Sequence, residues 1–226
     1  MNVEITTYFS IIVQIIALFV GTHGFFIELE EKHKILYDIL AIETIVQFVE
    51  LFFYIFFLRT MIKTSLNKMV TIRYYDWFIT TPIMLITLIT FLKYRQTILN
   101  NEKPFTFKEF IIDNYNNIIV IIILNLFMLL CGYLGETKVI NNSLAVFIGF
   151  IFFGIYFYII YKEYAISSKE FTVFYIFAFI WSLYGIAVMT GDVSKNNIIN
   201  ILDLFAKNFF GFYIYYVIRS QNSIQQ

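Results

Sequence analysis

The sequence predicts an all-α membrane protein, a bundle of seven transmembrane helices. Composition is the first observation behind this reading. Apolar residues make up 60% of the 226 positions and charged residues only 14%, against roughly 45–50% and about 25% in a soluble domain. So few charges cannot cover a globular surface, which excludes a soluble enzyme, a nucleic-acid binder and a disordered chain. The second observation is periodic: a bilayer core takes about 20 mainly apolar residues per helix, and seven such runs follow one another. The third is that the chain has just two prolines, Pro82 inside the third run and Pro104 in the longest loop.

The runs are Val3–Ile27, Ile35–Leu58, Val70–Leu92, Phe110–Cys131, Asn141–Tyr161, Phe171–Thr190 and Ile198–Arg219. The first lacks a basic leading segment and is longer than the core of a signal peptide, so it reads as a retained helix. It carries Ser10 and Gln14 four residues apart. The second carries Glu43, Gln47 and Glu50, which spacings of four and three place on one face over about 10 Å. The third contains Arg73, Asp76 and Thr80 along one stripe, with Trp77 beside them, and tolerates Pro82 because neighbouring groups in a membrane bundle re-satisfy the freed carbonyl. The sixth presents Trp181 and Tyr184. The seventh holds Asn200, Asp203, Lys207 and Asn208, with Asp203 and Lys207 one turn apart.

Six short loops and two tails remain, so residues 1–226 read as a single domain. Loops 1–2, 3–4 and 5–6 with the C-terminal tail carry nine Lys and Arg (Lys32, Lys34, Lys93, Arg95, Lys103, Lys108, Lys162, Lys169, Arg219). The opposite loops carry five (Arg59, Lys63, Lys68, Lys138, Lys195). The positive-inside rule then puts the N-terminus outside and the C-terminus in the cytoplasm. Sixteen basic and sixteen acidic residues cancel, giving no charge excess for a nucleic acid. The lone cysteine, Cys131, excludes an intrachain disulfide and a cysteine metal cluster. His23 and His33 read as interfacial residues rather than a metal pair.

The ionisable residues inside spans include Glu43, Glu50, Arg73, Asp76, Asp203 and Lys207. Each ionised group at a helix centre costs about 2.5–3.5 kcal/mol, so left unpaired they would together cost on the order of 15–20 kcal/mol. They must pair, meet water or lose charge. Asp203 and Lys207 allow two readings. One is a structural ion pair. The other is a desolvated lysine that condenses with an aldehyde while a carboxylate balances the resulting cation. The stripe on the second helix likewise reads either as two hydrogen-bonded carboxyls or as the lining of a cation path.

These segments resemble the microbial (type 1) rhodopsins. The family's third-helix pattern Arg-x-x-Asp-Trp-x-x-Thr-Thr-Pro stands at Arg73, Asp76, Trp77, Thr80, Thr81 and Pro82. Its sixth-helix Trp-x-x-Tyr stands at Trp181 and Tyr184, and its seventh-helix Asp-x-x-x-Lys at Asp203 and Lys207. The resemblance implies all-trans-retinal bound to Lys207 as a protonated Schiff base, with Asp76 and Asp203 as counter-ions. It implies a retinal pocket lined by Trp77, Thr80, Thr81, Met84, Trp181 and Tyr184, and a hydrogen bond from Thr80 to Asp76. Met84 at the tuning position implies green rather than blue absorption. The chain departs from the family's outward proton pumps at Thr87, where those carry a carboxylate eleven residues after the counter-ion. It also has Gly185 and Val188 where the sixth helix usually has proline and tryptophan.

Ser10, Glu43, Glu50, Lys207 and Asn208 together resemble the group-1 viral rhodopsins, channelrhodopsin-like proteins of large algal and protist viruses. That narrower resemblance implies a light-gated cation channel whose ion pathway runs past Ser10, Gln14, Glu43, Gln47, Glu50, Arg73, Asn200 and Asn208. A slow light-driven outward proton pump and a sensory rhodopsin are the alternatives. No enzyme activity is expected. The expected partners are the lipid bilayer (a host-cell membrane for a viral protein), the translocated cations or protons, and further copies of the chain in a homo-oligomer.

Overall fold

The computed structural model describes residues 2–61 and 63–223. Seven helices are long and apolar enough to cross a membrane, and they pack as a bundle with no strand among the described residues. In chain order the spans are α1 (Val3–Gly24), α2 (Ile35–Met61), α3 (Leu66–Leu99), α4 (Tyr115–Glu136), α5 (Asn142–Ile160), α6 (Phe171–Val188) and α7 (Asp192–Ser223). At 1.5 Å per residue the 22 residues of α1 and of α4 span about 33 Å, close to one hydrocarbon core.

Local chemistry sets the helix ends. The Asn2 side chain caps α1 by accepting from the Glu4 amide, and Asn141 caps α5 by accepting from the Ser143 amide. The expected fourth span begins five residues late, because Phe110 belongs to a separate two-turn helix, Phe107–Asp113. A capping box opens that helix: Thr106 Oγ1 accepts from the Glu109 amide, and the Glu109 carboxylate accepts from the Thr106 amide. Those bonds to Thr106 hold the exposed Glu109 carboxyl below the usual range. Beyond Ile160, α5 continues through a π turn, Tyr161–Ala165, and a last helical turn, Ile166–Ser168. Lys169 then reverses the chain with a left-handed φ of 58°.

The helices close into a ring in chain order, and α3 and α7 also touch across it. α1 packs on α2 and α7, α3 on α2, α4 and α7, and α6 on α7. Burial follows this order: 67% of the most apolar window of α3 and 56% of that of α7 lie inside the protein, against 28–39% for the other five. The two most buried helices carry four of the residues that lipid cannot hold, Arg73, Asp76, Asp203 and Lys207, and the inner face of α2 carries Glu43 and Glu50. Pro82 sits inside α3, and the hydroxyls of Thr80 and Thr81 on the preceding turn donate to the carbonyls of Asp76 and Trp77, a local polar adjustment where the proline removes a donor.

Candidate functional site

Lys207, on α7, projects into the centre of the bundle with a side chain only 3% exposed. Its Nζ donates to Asp76 Oδ2 on α3, and Glu50 Oε1 on α2 lies 3.5 Å away. The Gln14 amide nitrogen, on α1, donates to Glu50 Oε2 at 2.5 Å. Four helices thus converge on one amine. The i, i+4 ion pair between Asp203 and Lys207 does not form. Asp203 instead accepts from Arg73 Nη1 at 3.0 Å, from Tyr54 Oη at 2.7 Å and, on its other oxygen, from Tyr184 Oη at 2.7 Å. The reason is burial: a salt bridge inside the bundle holds only where further hydrogen bonds satisfy the remaining atoms, and Asp203 finds its donors on α2, α3 and α6.

Arg73 is the matching hub. Its guanidinium lies 4.1 Å from the Phe57 ring centroid and 5.3 Å from that of Tyr54. It donates to Tyr54 Oη at 3.1 Å and to Asn200 Oδ1. Asp76 does not pair with Arg73, although the two share a stripe on α3. Thr80 donates to the backbone carbonyl of Asp76 at 3.0 Å rather than to its carboxylate, because a threonine hydroxyl four residues on reaches the helix's own carbonyl more readily.

Next to Lys207 lies a cavity, part of it open to the outside. Its walls come from α3 (Tyr74, Trp77, Thr81, Met84), α4 (Met128, Leu129, Gly132), α5 (Ala145, Gly149, Phe150, Phe153) and α6 (Trp181, Tyr184, Gly185, Val188), with Ala206 and Lys207 closing it from α7. Five of the six residues expected to line a pocket do so. Thr80 does not: it is buried on another side of α3. Trp77 and Tyr184 meet edge to face, 5.4 Å between centroids.

The second-helix stripe is completely buried. Glu43 and Glu50 are both 0% exposed and Gln47 is 2%. The Thr87 hydroxyl donates to Glu43 Oε1. Ser10 donates to the Thr6 carbonyl at 2.9 Å and approaches that of Asn200 at 3.4 Å. Several buried polar atoms have no hydrogen-bond partner: Gln14 Oε1, Glu43 Oε2, Gln47 Oε1, Glu50 Oε1 and both amide atoms of Asn208, and elsewhere in the bundle Arg73 Nε, Asp76 Oδ1, Asn125 Nδ2 and Asn196 Oδ1.

Some participants were not singled out from the sequence. Tyr54 continues the 43–47–50 stripe by four residues, a signal that was available. Asn125 is a lone amide in the most apolar run of the chain; its Oδ1 accepts from Thr81 at 2.9 Å. Lys195 was counted as a loop cation, yet it is buried at the start of α7, with Nζ 2.8 and 3.1 Å from the two carboxylate oxygens of Glu136. His33 was taken as interfacial; it is 4% exposed and its Nδ1 lies 2.7 Å from Tyr94 Oη.

A seven-helix membrane protein with a buried lysine, balanced by carboxylates and facing an apolar aromatic cavity, belongs to the class of retinal proteins. The Bacteriorhodopsin-like protein family model matches residues 5–221. The chain is a member of that family. Among solved structures, viral rhodopsin OLPVRII is 26% identical, with a TM-score of 0.83 over 96% of this chain and 98% of that one. The blue light-absorbing proteorhodopsin from Med12 is 19% identical (TM-score 0.74, 98% of each chain). Halorhodopsin, described as a light-driven chloride pump, is 14% identical (TM-score 0.70, 98% and 97%). No curated protein sequence matches the chain. The family implies a retinal chromophore, and the cavity fits one: it is apolar, walled by two tryptophans, and ends on a primary amine.

Proposed function

We propose that the chain is a light-gated cation channel, working as a single domain with the N-terminus outside and the C-terminus in the cytoplasm. All-trans-retinal, joined to Lys207 as a protonated Schiff base, supplies light absorption and a light-driven change of shape. Lys207 holds the group. Asp76, its hydrogen-bond partner, balances the positive charge, and Asp203 contributes to that balance through its bond to Arg73. Trp77, Thr81, Met84, Trp181 and Tyr184 orient the polyene and keep water from it.

The observation that carries the channel reading is the column of unpartnered polar atoms on Gln14, Glu43, Gln47, Glu50 and Asn208. Buried polar groups are almost always hydrogen-bonded, and those without a protein partner bond to water where the site is polar and roomy enough. A file of water beside two carboxyls and several amide oxygens attracts cations and rejects anions. The column lies on α1, α2 and α7, away from the apolar cavity bounded by α3–α6. Movement at Lys207 can therefore reach the column through Asp76 and Glu50.

One contact favours a proton pump as the second reading. Thr87 stands where outward pumps carry a carboxylate, and its hydroxyl is bonded to Glu43. A carboxyl is thus supplied at that level from the neighbouring helix. Voltage clamp under illumination separates the two. A photocurrent that reverses with voltage and follows the cation gradient supports the channel; a current of one sign at every voltage refutes it in favour of the pump.

A further inference from the structure

The buried polar atoms differ sharply between the two halves of the bundle. In the half that holds Glu43, Gln47 and Asn208, oxygens and nitrogens are left without partners. At the opposite end, where α1, α3 and α7 begin, Arg73 Nε and Asn196 Oδ1 are left over, but the other polar atoms around Arg73 are joined in one network. Asn200 is the hub there. Its Oδ1 accepts from Arg73 Nη2, and Tyr54 Oη, whose one hydrogen is directed to Asp203, lies 3.4 Å from it; its Nδ2 donates to Thr6 Oγ1 at 2.7 Å and Thr7 Oγ1 at 3.1 Å, with the Val3 carbonyl at 3.5 Å. Thr6 in turn bonds Asn197 Oδ1 at 2.9 Å, and Thr7 bonds the Val3 carbonyl at 2.8 Å. All these side chains are buried, Thr7 and Asn200 completely.

An amide has two donor hydrogens and two acceptor lone pairs, and Asn200 divides them between two helices: its oxygen takes Arg73 of α3, and its nitrogen binds the first turns of α1. A guanidinium bonded only to Asp203 and Tyr54 could swing about the Asp203 carboxylate. The bond to Asn200, itself tied to a third helix, removes that freedom. We propose that Asn200, anchored by Thr6 and Thr7, is a positioning residue that latches Arg73 across the ion path and keeps this end of the protein closed in the dark. The latch rests on the channel reading: when charge rearranges around Asp76 and Asp203, opening requires Arg73 to leave Asn200, while Asn200 stays with α1.

The test uses the full chain reconstituted with retinal under voltage clamp. Thr6→Val with Thr7→Val keeps side-chain shape and removes the two hydroxyl acceptors of Asn200 Nδ2, leaving only the long contact to the Val3 carbonyl at 3.5 Å. A buried donor left unpaired costs enough that the dark leak should rise, or closure after light-off should slow, by roughly tenfold, with the absorption band unmoved. Thr6→Ser with Thr7→Ser restores the hydroxyls and should return wild-type closure. Asn200→Asp should act in the opposite direction, because a charge-assisted bond holds Arg73 more firmly: smaller photocurrent and faster closure. This variant also keeps the test decisive if the double valine protein fails to fold. The latch is overturned if the valine protein closes at the wild-type rate without a leak, if valine and serine proteins are altered equally, or if Asn200→Asp opens more readily. Each of these results in a protein whose wild-type current reverses sinks the latch alone. A wild-type current that never reverses sinks the channel reading and the latch with it.

Discussion

Replacing Glu50 by Gln separates the two roles that its position allows. The central cluster holds two cations, Arg73 and Lys207, and three carboxyls, Glu50, Asp76 and Asp203. Arg73 is matched by Asp203 and Lys207 by Asp76, so Glu50 is the surplus acid. Its Oε1 lies 3.5 Å from Lys207 Nζ. A full negative charge at that distance would interact with the amine by about 5 kcal/mol at an effective dielectric constant near 20. Removing such a charge would move the absorption band about as far as Asp76→Asn does. A surplus charge held in a dry bundle is costly, and the prediction is that Glu50 is the neutral member of the cluster in the dark, its Oε2 accepting from Gln14. Glu50→Gln should therefore leave the dark band in place while lowering photocurrent or cation selectivity. Asp76→Asn should shift the band to the red. Visible spectra of the two purified proteins decide it: a red shift in Glu50→Gln comparable to that in Asp76→Asn would refute the charge balance argued here.

Other outcomes follow from single contacts. Lys207→Ala should give a colourless protein even with excess retinal; a persisting band from covalently held retinal would remove the chromophore assignment. Lys195→Met strands the buried Glu136 and should cost about 3–5 kcal/mol, a fall of roughly 10 °C in the melting of the coloured state, and adding Glu136→Gln should restore most of it; a double variant as unstable as the single one would contradict this. A methyl group at Gly211 would overlap the amide of Gln47, so Gly211→Ala should depress photocurrent by displacing that amide without moving the band, and an unchanged current would place the path away from Gln47.

The seven spans were legible because lipid demands long apolar runs, and such runs are visible in composition alone. Their ends were not. Leu66–Met69, Lys93–Leu99 and Asp192–Asn197 are polar enough to read as loops, yet they continue α3 and α7 because tertiary partners, not lipid, satisfy them. Lys195 illustrates the cause: its partner Glu136 lies 59 residues away, and no local pattern announces it. The central charges were legible as a set and illegible as pairs. Spacing put Asp203 and Lys207 on one face of α7 but could not say which neighbouring helix each would meet. Crossed pairing of Asp203 with Arg73 and Lys207 with Asp76 depends on how α3 and α7 are rotated against each other. Asn125 was invisible for a related reason, since one amide in an apolar run acquires meaning only from the Thr81 hydroxyl facing it.

The crossed pairing explains how one isomerising group can influence two ends of the molecule. Had Lys207 neutralised Asp203 within its own helix, a displacement of the amine would have changed a single local bond. Instead Lys207 is bonded across to α3 and faces α2, while Asp203 binds α2, α3 and α6 through Tyr54, Arg73 and Tyr184. Moving the amine away from Asp76 uncovers a carboxylate one turn from Arg73 on α3, and so weakens the relative hold of Asp203 on the guanidinium. On the other side, the same displacement withdraws a cation from Glu50, at the head of the column with unpartnered oxygens. In the proposed channel, the satisfied end would thereby be loosened, and the unsatisfied end would lose the positive charge that repels entering cations. Two changes of opposite location follow from one motion because three carboxyls share two cations. Adding a third fixed cation should break this coupling: Gln14→Lys, beside Glu50, supplies the missing partner. The photocurrent should then fall severalfold while the dark band stays near its wild-type position, since Asp76 still balances Lys207. An unimpaired, reversing photocurrent in Gln14→Lys would show that the surplus carboxyl has no part in conduction.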